Sequence, residues 1–374
     1  MIACEAHNAG FGGRVVAVRG CRLRRARRAA AVAAVLVAPA LAGCGGSGSG
    51  SQTSTTSSSG SSTAAEPPLQ ASGSPAVVAS GIPFPTNLTF DSQGRLWITA
   101  ATLGPSPTEG VWYVPPGGPP RHVAGELTSA DGLVWVGNRL YVGSVTTPGI
   151  GQINVLEGYN GSSFARRGVL LKGLATGEHT LGTLALGPDG RLYVGLGASK
   201  DHSGAPGSVV SFSPSGGAYR TEATGVRTAF GLAFWGPQLL VTDNGPDEVG
   251  PNAPDQLLAF DPTGPVVNFG FPACYGQGGA ACAGFKPPLA TFPAHSSPAG
   301  IAVKGDVAFV ADVGSAVPDS SAPSAIRRID LRTGQQNIFW RSPVKHDVVG
   351  LAIGPEGDLF ATLAISGEVV RFHL

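Results

Sequence analysis

One pattern recurs six times along this chain, and it restricts the possible architectures more than any other feature. An apolar segment, a turn bearing Gly or Asn, and a second apolar segment begin at Leu88 (LTFDSQGRLWITA), Leu133 (LVWVGNRLYVGSV), Leu184 (LALGPDGRLYVGL), Leu232 (LAFWGPQLLVTDN), Ile301 (IAVKGDVAFVADV) and Leu351 (LAIGPEGDLFATL). The intervals are 45, 51, 48, 69 and 50 residues. A third apolar segment follows each pair, from Gly110, Gly151, Gly207, Asp255, Ser324 and Gly367. Short apolar segments on turns that favour positive φ read as hairpins, and a period near 50 residues reads as a radial array of four-stranded sheets. With 56 Gly and 31 Pro in 374 residues, the composition argues against a helix-dominated fold. The predicted fold is therefore all-β, a six-bladed β-propeller with four-stranded antiparallel blades over residues 71–374. A β-sandwich would not generate the repeat. The last repeat ends on its third segment at Leu374, so the segment Ala76-Val77-Val78-Ala79 is expected to supply its outer strand and close the ring.

The N-terminal region has a different character. R-L-R-R-A-R-R at 22–28 precedes an uncharged run from Ala29 to Gly43, long enough for a signal-peptide core and short for a membrane span. The run ends Leu41-Ala42-Gly43-Cys44, a sequence that resembles the lipobox of bacterial lipoproteins. The expectation is a signal peptide over 1–43, a lipidated Cys44, and a Gly/Ser-rich disordered tether over 44–70. Export to the cell envelope follows, with anchoring on the outer face of the membrane. Residues 1–21 read unlike a signal n-region, which places the expected start further downstream. Without residues 1–43 the formal charge is −5, from 18 basic and 23 acidic residues. A mildly acidic protein without a basic cluster has no electrostatic reason to bind nucleic acid or an anionic membrane surface. Membrane contact is expected only through the lipid. Of the five Cys, Cys274 and Cys282 remain in the repeat region, within the longest interval, and are expected to pair in an oxidising compartment.

A propeller does not name a function, so chemistry has to be sought in polar residues where the loops of one face converge. His179 stands five residues before the inner strand of the third repeat and is expected to point into the channel mouth, where a neutral imidazole serves as a general base. His295 is placed at the rim, His202 in solvent, and His122 and His373 in structural positions. Ser342-Pro343-Val344-Lys345 spells S-x-x-K, but in a strand-rich loop rather than at a helix start, so it carries no nucleophile reading.

The stretch from Gly177 to Gly276 resembles the soluble quinoprotein glucose/sorbosone dehydrogenase family, six-bladed propellers that use pyrroloquinoline quinone (PQQ) and calcium. The resemblance rests on an ordered series: Glu178-His179 with Gly182 and Leu184 before a G-P-D-G turn, G-V-R-T-A-F-G-L-A-F with Arg227, T-D-N-G-P at Thr242–Pro246, and N-F-G-F-P at Asn268–Pro272. Later segments, A-H-S-S-P-A-G-I from Ala294 and K-H-D-V from Lys345, also resemble it. The resemblance implies that His179 takes the proton from a sugar hydroxyl and that Arg227 stabilises oxyanion charge at the quinone carbonyl. It implies Arg227, Thr228, Asn244, Lys345 and His346 as cofactor contacts, and the backbone carbonyls of Gly245 and Pro246 as calcium ligands. Thr228 stands where the family carries Asn, Ser129 where it carries an amide, and the late segment that usually holds two arginines reads Val344-Lys345-His346-Asp347.

The leading expectation is an exported lipoprotein oxidoreductase that oxidises a sugar or related alcohol with PQQ and Ca²⁺ and passes electrons to an external acceptor. Two alternatives stand beside it. One is a calcium-dependent lactonase or other hydrolase, with Asp243, Asn244 and Asp312 as metal ligands. The other is a non-enzymatic ligand-binding propeller.

Overall fold

The computed structural model describes residues 74–102, 106–247, 249, 253–315 and 321–374. The expected signal peptide, Cys44 and the tether lie outside the described residues. Six antiparallel sheets account for nearly all regular structure. In each, the inner two strands are the two segments of one repeat, as in blade III with Leu181–Leu186 and Leu192–Leu196, followed by Gly207–Phe212 and Arg220–Val226. Blade IV runs Ala229–Trp235, Gln238–Asp243, Asp255–Phe260 and Ala290–Phe292. Blade VI combines Val348–Ile353, Leu359–Leu363 and Glu368–Phe372 with Ala76–Ser80 from the other end of the chain. Ala76 pairs with Arg371 and Ser80 with Glu368, so the ring closes as the sequence predicts. The six inner hairpins each carry a glycine with φ between 56° and 86°, for example Gly190 at 75°, a conformation in which a Cβ is strained.

The residues that open the six repeats share one position. Leu88, Leu133, Leu184, Leu232, Ile301 and Leu351 all line a cavity of about 100 Å³ bounded by the innermost strands of every blade. They form an apolar collar, and the blades around it bury both faces. Phe309, Ile326, Phe339, Val370 and Phe372 belong to one interblade cluster, and Tyr193, Val209, Val241 and Phe260 to another. This explains why the inner strands read as apolar runs rather than as alternating patterns.

Threonine hydroxyls stitch neighbouring inner strands. Thr86 Oγ1 donates to Ala130 O at 2.7 Å, Thr242 Oγ1 to Ala299 O at 2.7 Å, and Thr183 Oγ1 accepts from Leu232 N at 3.0 Å. Such contacts need the backbones close, and glycine allows it: a Cβ on Gly231 would lie 2.1 Å from Ala299 O. Gly231→Ala is expected to cost about 3 kcal/mol through overpacking of backbone against backbone, read as a lower urea midpoint at unchanged slope.

The long interval is an insertion after the third strand of blade IV. Its Val267–Asn268 segment adds in parallel to the outer strand of blade III, pairing with Ala223 and Thr224. Cys274 and Cys282 form the expected disulfide within it.

Candidate active site

Strand direction decides which loops meet. The connection between blades and the connection from second to third strand lie on one face, because the inner strand of each blade starts where the outer strand of the preceding one ends. His179, Arg227, Thr228, His295, Lys345 and His346 occupy between-blade connections, while Asp201 and Asn244–Asp247 occupy second-to-third connections of blades III and IV. All the residues proposed from sequence therefore belong to one face.

His179 caps a tight turn in which its N–H donates to Thr176 O at 3.1 Å. Beneath it lies Gly197, where a Cβ would come within 2.5 Å of the His179 Cβ, so the glycine makes room for the imidazole. Nδ1 lies 3.1 Å from Thr228 Oγ1. Nε2 is buried without a hydrogen-bond partner among the described residues. Burial, and then the Arg227 guanidinium, hold the imidazole below its ordinary 6.5, so it stays neutral and basic at neutral pH.

Arg227 is 5% exposed and ties two blades together. Nε donates to Asp201 O at 2.8 Å, Nη1 to Asn244 O at 3.2 Å and to Thr228 Oγ1 at 3.3 Å, and Nη2 to the carboxylates of Asp201 and, at 3.4 Å, Asp247. Asp247 also lies 3.6 Å from Nδ1 of His295, which is largely buried. The result is a connected series from His179 through Thr228 and Arg227 to Asn244 and on to Asp247 and His295, drawn from blades III and IV and the connection into blade V. Asn244 Oδ1 is a second buried polar atom without a partner among the described residues.

Buried carboxylates fix the loops that carry this series. Asp243 accepts from Arg227 N at 3.0 Å and Thr228 N at 2.7 Å. Asp255 accepts from Gly245 N at 2.7 Å and Ser297 N at 2.8 Å, linking the Asn244–Pro246 turn to the His295 loop. Asp131 accepts from the Thr180 hydroxyl next to His179. Burial raises all of them from 3.8: Asp131 and Asp255 to about 7, Asp243 to about 6, and also Asp312 to about 6. A raised carboxyl keeps its proton in the folded state where the unfolded chain has released it. Stability is therefore expected to fall as pH rises from 4 through 7. His179 works in the opposite sense below 6.5, and acids held low, such as Asp91, lose their contribution only below 3.8. Urea midpoints should be higher near about pH 5 than near about pH 8.

Lys345 and His346 occupy a different part of the same face. They line a cavity of about 300 Å³ with Ser315, Ser324 and Ser342, between blades V and VI, and no hydrogen bond or ion pair joins them to the His179–Arg227 series among the described residues. The proposed hydrolase ligands do not assemble either. Asp243 is taken up by two backbone N–H groups, and Asp312 is paired with Arg327 at 2.6 Å. No group of three or more His, Cys, Asp or Glu side chains forms a metal cage among the described residues. His122 Nε2 lies 3.0 Å from the Glu109 carbonyl oxygen, and His373 Nδ1 lies 3.0 Å from a carboxylate oxygen of Asp358. A cavity of about 740 Å³ opens on the opposite face at the seam of blades I and VI, lined by Phe90, Arg95, Pro116, Phe360 and Arg371 among others. Its Arg95 is paired with Asp91 and its Arg371 with Asp358 and Glu356, and no histidine lines it.

Sequence reasoning missed Asp201, Asp247 as a bridge, and Asp255. Asp201 stands in an ordinary polar loop 26 residues before Arg227 and carries no local signal.

No protein-family model and no curated protein sequence matches the chain. Solved structures do share its fold. The calcium structure of a Trichoderma reesei carbohydrate-active enzyme of family AA12 aligns with a TM-score of 0.65 at 18% identity, covering 82% of this chain and 96% of that one. The PQQ-bound aldose sugar dehydrogenase of Streptomyces coelicolor aligns with a TM-score of 0.60 at 19% identity, over 80% and 96%. The holo PQQ domain of pyranose dehydrogenase from Coprinopsis cinerea aligns with a TM-score of 0.65 at 16% identity, over 82% and 97%.

Proposed function

We propose that this protein is a quinoprotein oxidoreductase that oxidises a sugar or related alcohol, exported and anchored through a lipidated Cys44. The observation that carries the reading is the buried, unpartnered Nε2 of His179 in a series that runs through Thr228 and Arg227 to Asn244. The fold neighbours bound to PQQ or calcium support it.

The residues on the blade III and IV side fit the cofactor. His179 Nε2 and Asn244 Oδ1 are buried polar atoms without partners among the described residues, as expected where a ligand completes the site. Arg227, Thr228 and Asn244 would hold PQQ there, and the carbonyls of Gly245 and Pro246 would hold Ca²⁺, while Lys345 and His346 are the further cofactor contacts proposed from the connection between blades V and VI. When bound, the quinone supplies a two-electron, hydride-accepting centre. The chain supplies the rest. His179 Nε2 takes the substrate hydroxyl proton, its neutrality ensured by burial and by Arg227. Arg227, fixed by Asp201 and by the Asp243 clamp on its own N–H, has its guanidinium donors engaged by the protein and would act on developing oxyanion charge through its positive charge.

The test is reconstitution. Purified protein with added PQQ and Ca²⁺ is expected to reduce a dye with one or more aldoses, and to lose that activity without either addition. Lactone hydrolysis without quinone would instead favour the hydrolase, and failure to bind quinone or metal would favour a binding protein.

A further inference from the structure

The position that departs from the family's Asn, Thr228, touches the proposed base directly. Its Oγ1 lies 3.1 Å from His179 Nδ1 and 3.3 Å from Arg227 Nη1. A guanidinium only donates, so it takes one lone pair of the hydroxyl and leaves one lone pair and one proton. Two arrangements remain. In the first, Nδ1–H donates to Oγ1, and Nε2 carries the lone pair a base needs. The threonine proton then has no acceptor among the described residues, and Nε2 is unpaired as well. In the second, the hydroxyl donates to Nδ1 and the imidazole proton sits on Nε2. Thr228 is then satisfied, and of these groups the Nε2–H alone lacks a partner among the described residues. Each buried polar group left unpaired costs free energy, so the second arrangement is the resting one.

We propose that Thr228 sets the tautomer of His179, holding the resting imidazole proton on Nε2, and that His179 becomes a base only when the threonine hydroxyl turns and Nδ1 donates to it. The two forms differ only in which ring nitrogen holds the single proton, so no net proton is gained or lost. Thr228 is thus a positioning residue that acts through His179 and makes base competence conditional. An Asn here has a carbonyl able to accept from both Nη1 and Nδ1 with no hydroxyl proton to strand, and it would favour the base-competent tautomer in the resting protein.

This inference rests on His179 being the base, but it is read from the protein without quinone or metal. Long-range ¹H–¹⁵N correlation of ¹⁵N-histidine protein is recorded at alkaline pH, where the imidazole is neutral, with the His179 signals assigned by their loss in His179→Gln. Wild type and Thr228→Ser should show the Nε2-protonated pattern, in about tenfold excess for one fewer unmade buried hydrogen bond. Thr228→Asn should reverse it, and Thr228→Val should give a mixture. An Nδ1-protonated wild type, or a pattern that Thr228→Val and Thr228→Asn leave unchanged, overturns the proposal. Wild type and the serine variant decide the first point even if the others do not fold. If the expected pattern appears but no sugar oxidation follows reconstitution, the catalytic reading fails and the tautomer assignment stands. Sugar oxidation by a wild type with the opposite pattern leaves the oxidoreductase reading standing and overturns the tautomer assignment.

Discussion

His179→Gln is expected to lower kcat for sugar oxidation by about 10²–10⁴-fold, the range for loss of a general base, with a change in stability under about 1 kcal/mol. Glutamine places its amide at about the distance from the backbone where Nε2 now lies, and its volume fills the space over Gly197. It has no basic nitrogen, so the proton of the substrate hydroxyl has nowhere to go. The pH profile gives a second readout. Because burial and Arg227 hold the imidazole below 6.5, the acid limb of kcat/KM in the wild type should fall below that value and vanish in the variant. A glutamine variant that retains the wild-type rate, or an acid limb well above 6.5, would remove His179 from the reaction.

The parts legible in the sequence are those set by local rules. A blade cannot bury its two faces alone, so each repeat had to carry the same apolar segments and the same turn, and the opening residue of each repeat lies at the axis. The clasp at Ala76–Ser80 was legible because the last repeat lacked an outer strand. His179 and Arg227 were legible as members of an ordered series. What joins them was not. Asp201 meets Arg227, Asp247 approaches His295, and Asp255 receives N–H groups from Gly245 and Ser297, all across loops that only the ring brings together. Asp243 was visible as an acid in T-D-N-G-P, but its sequence neighbours suggested a metal ligand. Its actual partners are the N–H groups of Arg227 and Thr228, 16 and 15 residues away. The parallel addition of Val267–Asn268 to blade III was equally hidden, since two residues carry no periodicity and their partner belongs to the preceding repeat.

Arg227→Met should damage both stability and chemistry, and the two losses can be separated. The guanidinium is buried and donates to Asp201, Asp247, Asn244 and Thr228, so its removal strands the Asp201 carboxylate beside a second acid. Breaking a buried pair from one side costs about 3–5 kcal/mol, and loss of an oxyanion-stabilising group lowers kcat by about 10²–10³-fold. Lysine is not an adequate substitute, because a single ammonium cannot span acceptors in two blades. Adding Asp201→Asn to the methionine variant neutralises the stranded charge and should restore much of the stability, measured as the coupling in a double-mutant cycle of urea unfolding. It should restore none of the lost rate, since no cation returns to the site. Were both stability and kcat to recover together, Arg227 would be acting only as a brace between blades III and IV, and the oxyanion role assigned to it would have to pass to another group on the same face.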